Sequence, residues 1–232
     1  MRVIDESEAT GRVDRLRGLL HHRPLMPLAR VGLALLLLTA PLAARAEDSA
    51  AGIAAHSLAE CEAGRAATVR GVRLAHFERG QALAQRAIAA DERNAEGHFA
   101  LFCNMGEIMR IDGESITSVF QLHRLLAELD RTLELDPGHV DAMAAKGTLL
   151  LRLPRLFGGD SKRGEAMLRE VVERDPKAVA ARLTLAKTCE ARGDRSEALA
   201  FATRALQIAR EQGRADKAAE AQATLAELGE PR

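Results

Sequence analysis

The sequence predicts an all-α fold in which helix-turn-helix units stack into an α-solenoid and a C-terminal helix caps the stack. Three observations predict it. Ala, Leu, Glu and Arg dominate, while Trp and Tyr are absent and Phe occurs only six times. Such a chain suits helices packed through small side chains and lacks what a sheet needs. An acidic corner recurs, at Asp91 in IAADERN, Asp136 in LELDPGH and Asp175 in VERDPKA. Eleven residues before each corner begins a triplet of small or apolar side chains spaced four and three apart. The triplets are Gly80/Ala84/Ala87, Leu125/Leu129/Thr132 and Gly164/Leu168/Val171, and the same register predicts a fourth at Ala198/Ala202/Ala205. That spacing puts each triplet on one helix face, where small residues admit a neighbouring helix. The triplets begin 45, 39 and 34 residues apart, periods expected of stacked helix pairs.

The first 46 residues stand apart. Val31 to Leu42 is an apolar run of 12 residues, preceded by Arg23 and Arg30 and followed by the small-x-small triad Ala44-Arg45-Ala46. A bilayer span needs roughly 20 residues, so the run is expected to be the core of a cleaved signal peptide, residues 1–46. Met26 makes an ordinary start for it. Cleavage leaves Glu47 first and no cysteine at the new terminus, so no lipid anchor is expected there. No second apolar stretch of spanning length follows. The expected location is the periplasm, with no membrane span in the mature chain. The first 46 residues hold seven of the 33 basic and four of the 33 acidic side chains, which leaves the remainder slightly acidic.

Helices are expected at about 50–69, 72–90, 95–110, 115–134, 139–152, 161–174, 178–192, 195–211 and 214–228. Residues 47–70 form an N-terminal helix, 71–213 the repeats, and 214–232 the capping helix and tail. The second helix carries the Gly80 triplet and stops at Asp91. Pro137 and Pro176 cannot continue the helices before them, because proline lacks an N–H and crowds the preceding turn. Asp194 with Glu197 three residues later reads as a capping box for the eighth helix. The last helix sets Ala218, Ala221, Leu225 and Leu228 on one stripe with charges elsewhere, as a solvating cap requires.

The register resembles that of the tetratricopeptide-repeat (TPR) family, whose 34-residue units carry small residues at positions 8, 20 and 27 and proline at 32. Gly147, Gly164, Val171 and Pro176 fall at positions 8, 20, 27 and 32 of one unit. Ala186, Ala198 and Ala205 take positions 8, 20 and 27 of the next. Arg210 stands where that unit would have proline, and the large aromatics of positions 4 and 11 are replaced by Met143, Arg182, Leu150 and Cys189. Against this template the unit holding Gly147 has five extra residues, Leu153 to Phe157. Pro154 ends one helix, Gly158 and Gly159 supply backbone freedom, and Asp160 caps the next. Leu156 and Phe157 are expected to tuck beneath this lengthened corner. A second resemblance, to the exported TPR proteins of the TRAP-transporter T-component (TatT-like) type, rests on Leu133-Glu134-Leu135-Asp136-Pro137, Leu153-Pro154 and Gly158-Gly159-Asp160. It implies an accessory of solute transport with a pocket for a small apolar or organic-acid ligand.

The TPR resemblance implies a concave groove lined by the first helix of every pair. Carried over, its positions give Glu96, Phe99, Cys103, Gly106 and Glu107, then Asp141, Ala144, Thr148, Leu151 and Arg152, then Ala180, Leu183, Lys187 and Glu190. The expected partner is a protein or peptide segment of acidic and aliphatic character, the alternative being an ordinary solvated face. The corner residues Pro154, Arg155, Phe157, Gly158, Gly159 and Asp160 stand at the rim as further candidate contacts. A stripe of Phe99, Phe102, Met105, Ile108 and Met109 reads first as core and second as a surface for an apolar ligand.

Enzyme chemistry has no foothold. His56, His76, His98, His123 and His139 are dispersed, and HExxH, GxSxG and phosphate-loop motifs are absent. No cofactor or metal is expected. A formal net charge of zero without basic blocks argues against nucleic acid. Of the three cysteines, Cys61 and Cys103 could bridge in an oxidising compartment. Otherwise all three are small buried hydrophobes.

Overall fold

The computed structural model describes residues 49–112 and 118–229, and every regular element among them is helical. The expected signal peptide, its alternative start and residues 113–117, where the fourth helix is expected to begin, lie outside the described residues. The helices are α1 (Ala50–Ala66), α2 (Arg70–Ala90), α3 (Ala95–Asp112), α4 (Ser118–Leu135), α5 (Val140–Arg152), α6 (Ser161–Arg174), α7 (Val179–Ala191), α8 (Arg195–Glu211) and α9 (Ala215–Gly229). None of the described helices is long and apolar enough to cross a membrane.

The punctuation has a local cause. At each acidic corner the Asp carboxylate accepts the N–H two residues on: Arg93 to Asp91 at 2.9 Å, Gly138 to Asp136 at 2.9 Å and Lys177 to Asp175 at 2.8 Å. This turn satisfies donors that the ended helix leaves open. Helix starts are capped by Ser49, Asn94, His139, Asp160 and Asp194, each accepting an N–H three residues ahead. The capping box at Asp194 is only half formed. Asp194 accepts the Glu197 N–H at 3.1 Å, but its own N–H donates to the Cys189 carbonyl. The Glu197 side chain is drawn to arginines on α6 and beyond α7 instead.

All four triplets are buried, as their spacing predicts. Glycine matters where α5 crosses α6. A Cβ on Gly164 would lie 2.7 Å from the Gly147 carbonyl oxygen, and one on Gly147 would lie 3.0 Å from the Gly164 carbonyl oxygen. Where α1, α2 and α3 meet, buried Asn104 donates to Ser57 Oγ at 3.1 Å and Ser57 donates to the Gly80 carbonyl at 2.7 Å. A Cβ on Gly80 would land on Asn104.

Helices pack on their sequence neighbours, so the core is a series of small clusters along the stack. Helix α1 is the partner of α2 and also lies broadly against α3, so it occupies the place of a first helix in a pair. Helix α9 covers α7 and α8 through Ala221, Thr224 and Leu228, all buried. The lengthened corner departs from expectation. Residues Arg155–Phe157 make a single 3₁₀ turn. Leu156 is 87% exposed and Phe157 37%, so neither tucks beneath it. The backbone holds the corner instead, with the Gly159 N–H on the Pro154 carbonyl (3.1 Å) and the Asp160 N–H on the Leu150 carbonyl (3.0 Å).

Candidate functional site

Helices α5 and α7 touch along a narrow line, much less than α1 and α3 do. The space they leave is a groove of about 620 Å³. Helix α5 contributes Leu151 and Arg152, and the start of α6 contributes Ser161, Lys162 and Glu165. Thr184, Lys187, Thr188 and Ala191 come from α7, followed by Arg192 and by Glu220 of α9. Four cations thus face two carboxylates. Both carboxylates are already committed. Glu165 accepts Arg192 at 2.7 Å and Arg169 at 2.8 Å, and Glu220 accepts Lys217 at 2.8 Å and Lys187 at 3.3 Å. These donors hold both carboxyls below the usual range, Arg192 acting most on Glu165 and Lys217 most on Glu220. Among the described residues, Arg152 and Lys162 make no ion pair. The Thr184 and Thr188 hydroxyls donate to carbonyls of their own helix, at 3.0 and 2.9 Å, which leaves their oxygen lone pairs as acceptors.

Behind the groove, Arg169 reaches Glu197 at 2.6 Å, and Arg192 reaches the same side chain at 3.1 Å. The hydrogen bond from Arg169 contributes most to holding the Glu197 carboxyl down at about 2. Burial, then the hydrogen bond to Glu197, pushes the Cys189 thiol up to about 11, so it stays protonated and donates to Glu197 at 3.2 Å. The ligand atoms of Glu165, Cys189 and Glu197 lie within 4.8 Å of one another. Two guanidiniums already supply the positive charge at this cluster and the thiol keeps its proton, so it is an ion-pair node rather than a cation site.

The structure divides the sequence-derived groove residues. It brings Leu151, Arg152 and Lys187 together on the groove wall. Asp141 is exposed at the start of α5, and Thr148 is half-buried with its hydroxyl on the Ala144 carbonyl. Glu96 is exposed and 3.4 Å from His139 Nε2. Three others are interior. Phe99 lies between Phe102, stacked at a ring-centroid distance of 6.0 Å, and His139, tilted against it at 4.5 Å. Glu107 is 4% exposed and held by Arg65 of α1 at 2.8 Å. Leu183 is buried against α8 and α9 in a cluster with Val179, Ile208 and Ala221. The cause is shared: α1 closes over α3 and α9 closes over α7, so positions open in an idealised repeat are covered here. Of the corner residues, Gly158 takes φ +88° and a Cβ on Gly159 would meet the Leu153 carbonyl oxygen, so both glycines are geometric. Pro154 and Arg155 are exposed, and Asp160 is occupied as a cap.

Sequence reasoning missed Lys162, Thr184, Thr188, Arg192 and Glu220. All five belong to segments that become a groove only through the way α5, α6, α7 and α9 are set against one another. The Met and Phe stripe divides too: Phe99 and Phe102 pack inward, while Met105, Ile108 and Met109 line a smaller hollow of about 270 Å³ with Gln81, Phe120, Gln121 and Arg124.

No protein-family model matches the chain, and no curated relative does. Solved structures do resemble it. A thermophilic TPR protein of Thermus thermophilus aligns over 85% of this chain and 96% of its own, at 18% identity and a TM-score of 0.57. YrrB, a TPR protein with an unusual peptide-binding site, aligns over 64% of this chain and 84% of its own, at 19% identity and a TM-score of 0.35. MamA from Desulfovibrio magneticus aligns over 73% and 93%, at 16% identity and a TM-score of 0.45. The first of these likenesses speaks for fold, and the fold is that of a tetratricopeptide-repeat solenoid.

Proposed function

We propose that the chain is a non-enzymatic scaffold that binds a protein or peptide segment of acidic and aliphatic character in the α5–α7–α9 groove. One observation carries this reading: the groove presents Arg152 and Lys162 without carboxylate partners beside the apolar wall of Leu151 and Ala191. A carboxylate-bearing segment supplies the missing partners, and its aliphatic side chains cover the wall. The exposed Leu156 and Phe157 extend the apolar surface at the corner between α5 and α6. The apolar run at 31–42 supports export, so the partner is sought in the periplasm.

The test is a fluorescence-polarisation screen of acidic-aliphatic peptides against the wild type and the Arg152→Glu/Lys162→Glu double variant. Both side chains are exposed, so reversal leaves the fold intact. Wild-type binding should weaken with salt and fall at least about tenfold in the variant. Equal affinities in the two proteins refute the groove. A second reading, a small apolar ligand in support of solute transport, is favoured by the hollow beside Met105, Met109 and Phe120, the last 80% exposed. Native mass spectrometry of the gently extracted protein tests it, and a ligand-free spectrum counts against it.

A further inference from the structure

Away from the groove, α1 and α3 bring two thiols together. Cys61 is 1% exposed and Cys103 7%. Both belong to one buried cluster with Phe77, Phe99, Leu129 and Ala142, where each thiol is near enough to shift the ionisation of the other. Cys189, the third thiol, packs elsewhere, with Ala186, Ala198 and Leu228. The seam between α1 and α3 is locked one turn further along. There Arg65, four residues after Cys61, donates to Glu107, four residues after Cys103, at 2.8 Å. The ion pair fixes the register that keeps the sulfurs opposed, so joining them requires side-chain rotation and a small approach rather than a helix shift.

We propose that Cys61 and Cys103 form an intrachain disulfide that staples α1 to α3 when the protein meets an oxidant of the disulfide class. The order of events follows from the surroundings. Hydrogen bonding from Cys103 lowers the Cys61 thiol below its ordinary value against the opposing effect of burial, and the Arg65 charge adds to the lowering. Donation to Cys61 and burial both raise the Cys103 thiol. Cys61 is therefore the first thiolate. Its sulfur attacks one sulfur of the oxidant's disulfide and releases a thiolate, which takes up the proton that Cys61 gave to solvent. Cys103 then loses its proton and attacks the Cys61 sulfur, releasing the second thiol. Two S–H bonds are lost and one S–S bond is gained in the protein, while the oxidant's S–S bond becomes two S–H bonds. Both thiols are buried, so exchange runs through local opening of the α1–α3 seam. The bond closes a long loop and restricts the unfolded chain.

The full chain is incubated with oxidised glutathione or with a reductant, alkylated in denaturant, and mapped by mass after trypsin without reduction. The expected product links the Cys61 peptide ending at Arg65 to Asn94–Arg110, about 2 Da below the sum of the two. Cys189 should remain alkylated. The oxidised protein should melt on the order of 10 °C above the reduced one, a difference absent in Cys103→Ser. Circular dichroism of Cys103→Ser at low temperature establishes that this variant is folded, and Cys189→Ser should retain the full shift. Separate alkylation of Cys61 and Cys103, glutathione mixed disulfides on each, or a bridge to Cys189 overturns the proposal.

Discussion

The contact between α5 and α6 is the sharpest place to test the packing argument, because two glycine-to-alanine substitutions there and in α3 should differ in sign. Each removes a helical glycine, mid-helix at Gly106 and in the first turn at Gly164, which by propensity alone stabilises a helix by up to about 1 kcal/mol. At Gly106 the added methyl meets only Leu125 Cδ1 at 3.7 Å, an ordinary contact. Gly106→Ala should therefore keep the propensity gain and raise the melting temperature by roughly 2–4 °C, the scale for a chain of this size. At Gly164 the methyl would stand 2.7 Å from the Gly147 carbonyl oxygen, 3.0 Å from Leu151 Cγ and 3.1 Å from Leu150 Cβ. Two of those three atoms belong to backbone or to a Cβ and cannot swing away, so α6 must back off from α5. Overpacking of this kind costs about 1–3 kcal/mol. Because two of the three nearest atoms cannot move aside, the upper part of that range applies to Gly164→Ala. After the propensity gain the net loss is about 1–2 kcal/mol, or roughly 2–8 °C in melting temperature. Differential scanning calorimetry of the two variants, with matched far-UV spectra, reads both shifts. A rise for Gly164→Ala comparable to that of Gly106→Ala refutes the close crossing of α5 and α6.

Two further outcomes follow from polar groups. Asp160→Ala leaves the Arg163 N–H at the start of α6 without its acceptor, and a loss of about 0.5–2 kcal/mol in a urea titration is expected, largely restored in Asp160→Asn. Glu197 ionises at about 2 in the folded chain against 4.5 for the free side chain. A carboxyl lowered in this way contributes stability that is complete above about 4.5 and is lost as pH falls towards about 2. Urea midpoints of Glu197→Gln should therefore start lower near neutrality and fall less steeply through that window, and parallel pH profiles for the two proteins refute the role of Arg169 and Arg192.

The parts legible in the sequence are those set by local spacing. The triplets at 80, 125, 164 and 198 report a helix face directly, and the Asp corners report a turn whose carboxylate accepts an N–H two residues on. The parts that were not legible depend on distances between helices. Glu107 reads as a groove carboxylate until Arg65, 42 residues away in the chain, is seen to cover it. Leu183 reads as exposed until α9 is laid upon it. Leu156 and Phe157 fail in the opposite direction. Their apolar character suggests burial, yet backbone hydrogen bonds close the corner and leave both side chains outside. The ionic cluster of Glu165, Arg169, Arg192 and Glu197 had no sequence signature, since its members come from three separate segments.

The corner's closure carries one last consequence. The hydrogen bond from Asp160 to Leu150 clasps the base of the excursion, so the exposed turn from Pro154 to Gly158 can change without moving the helices that it joins. The hinge points stay put while the intervening sequence is free to vary in length and chemistry. A fluorescent tag or a foreign epitope grafted in place of Arg155 to Phe157 would ride on the outside of the stack and leave the helices standing, while it exchanges the apolar patch of Leu156 and Phe157 for new chemistry at the groove's edge.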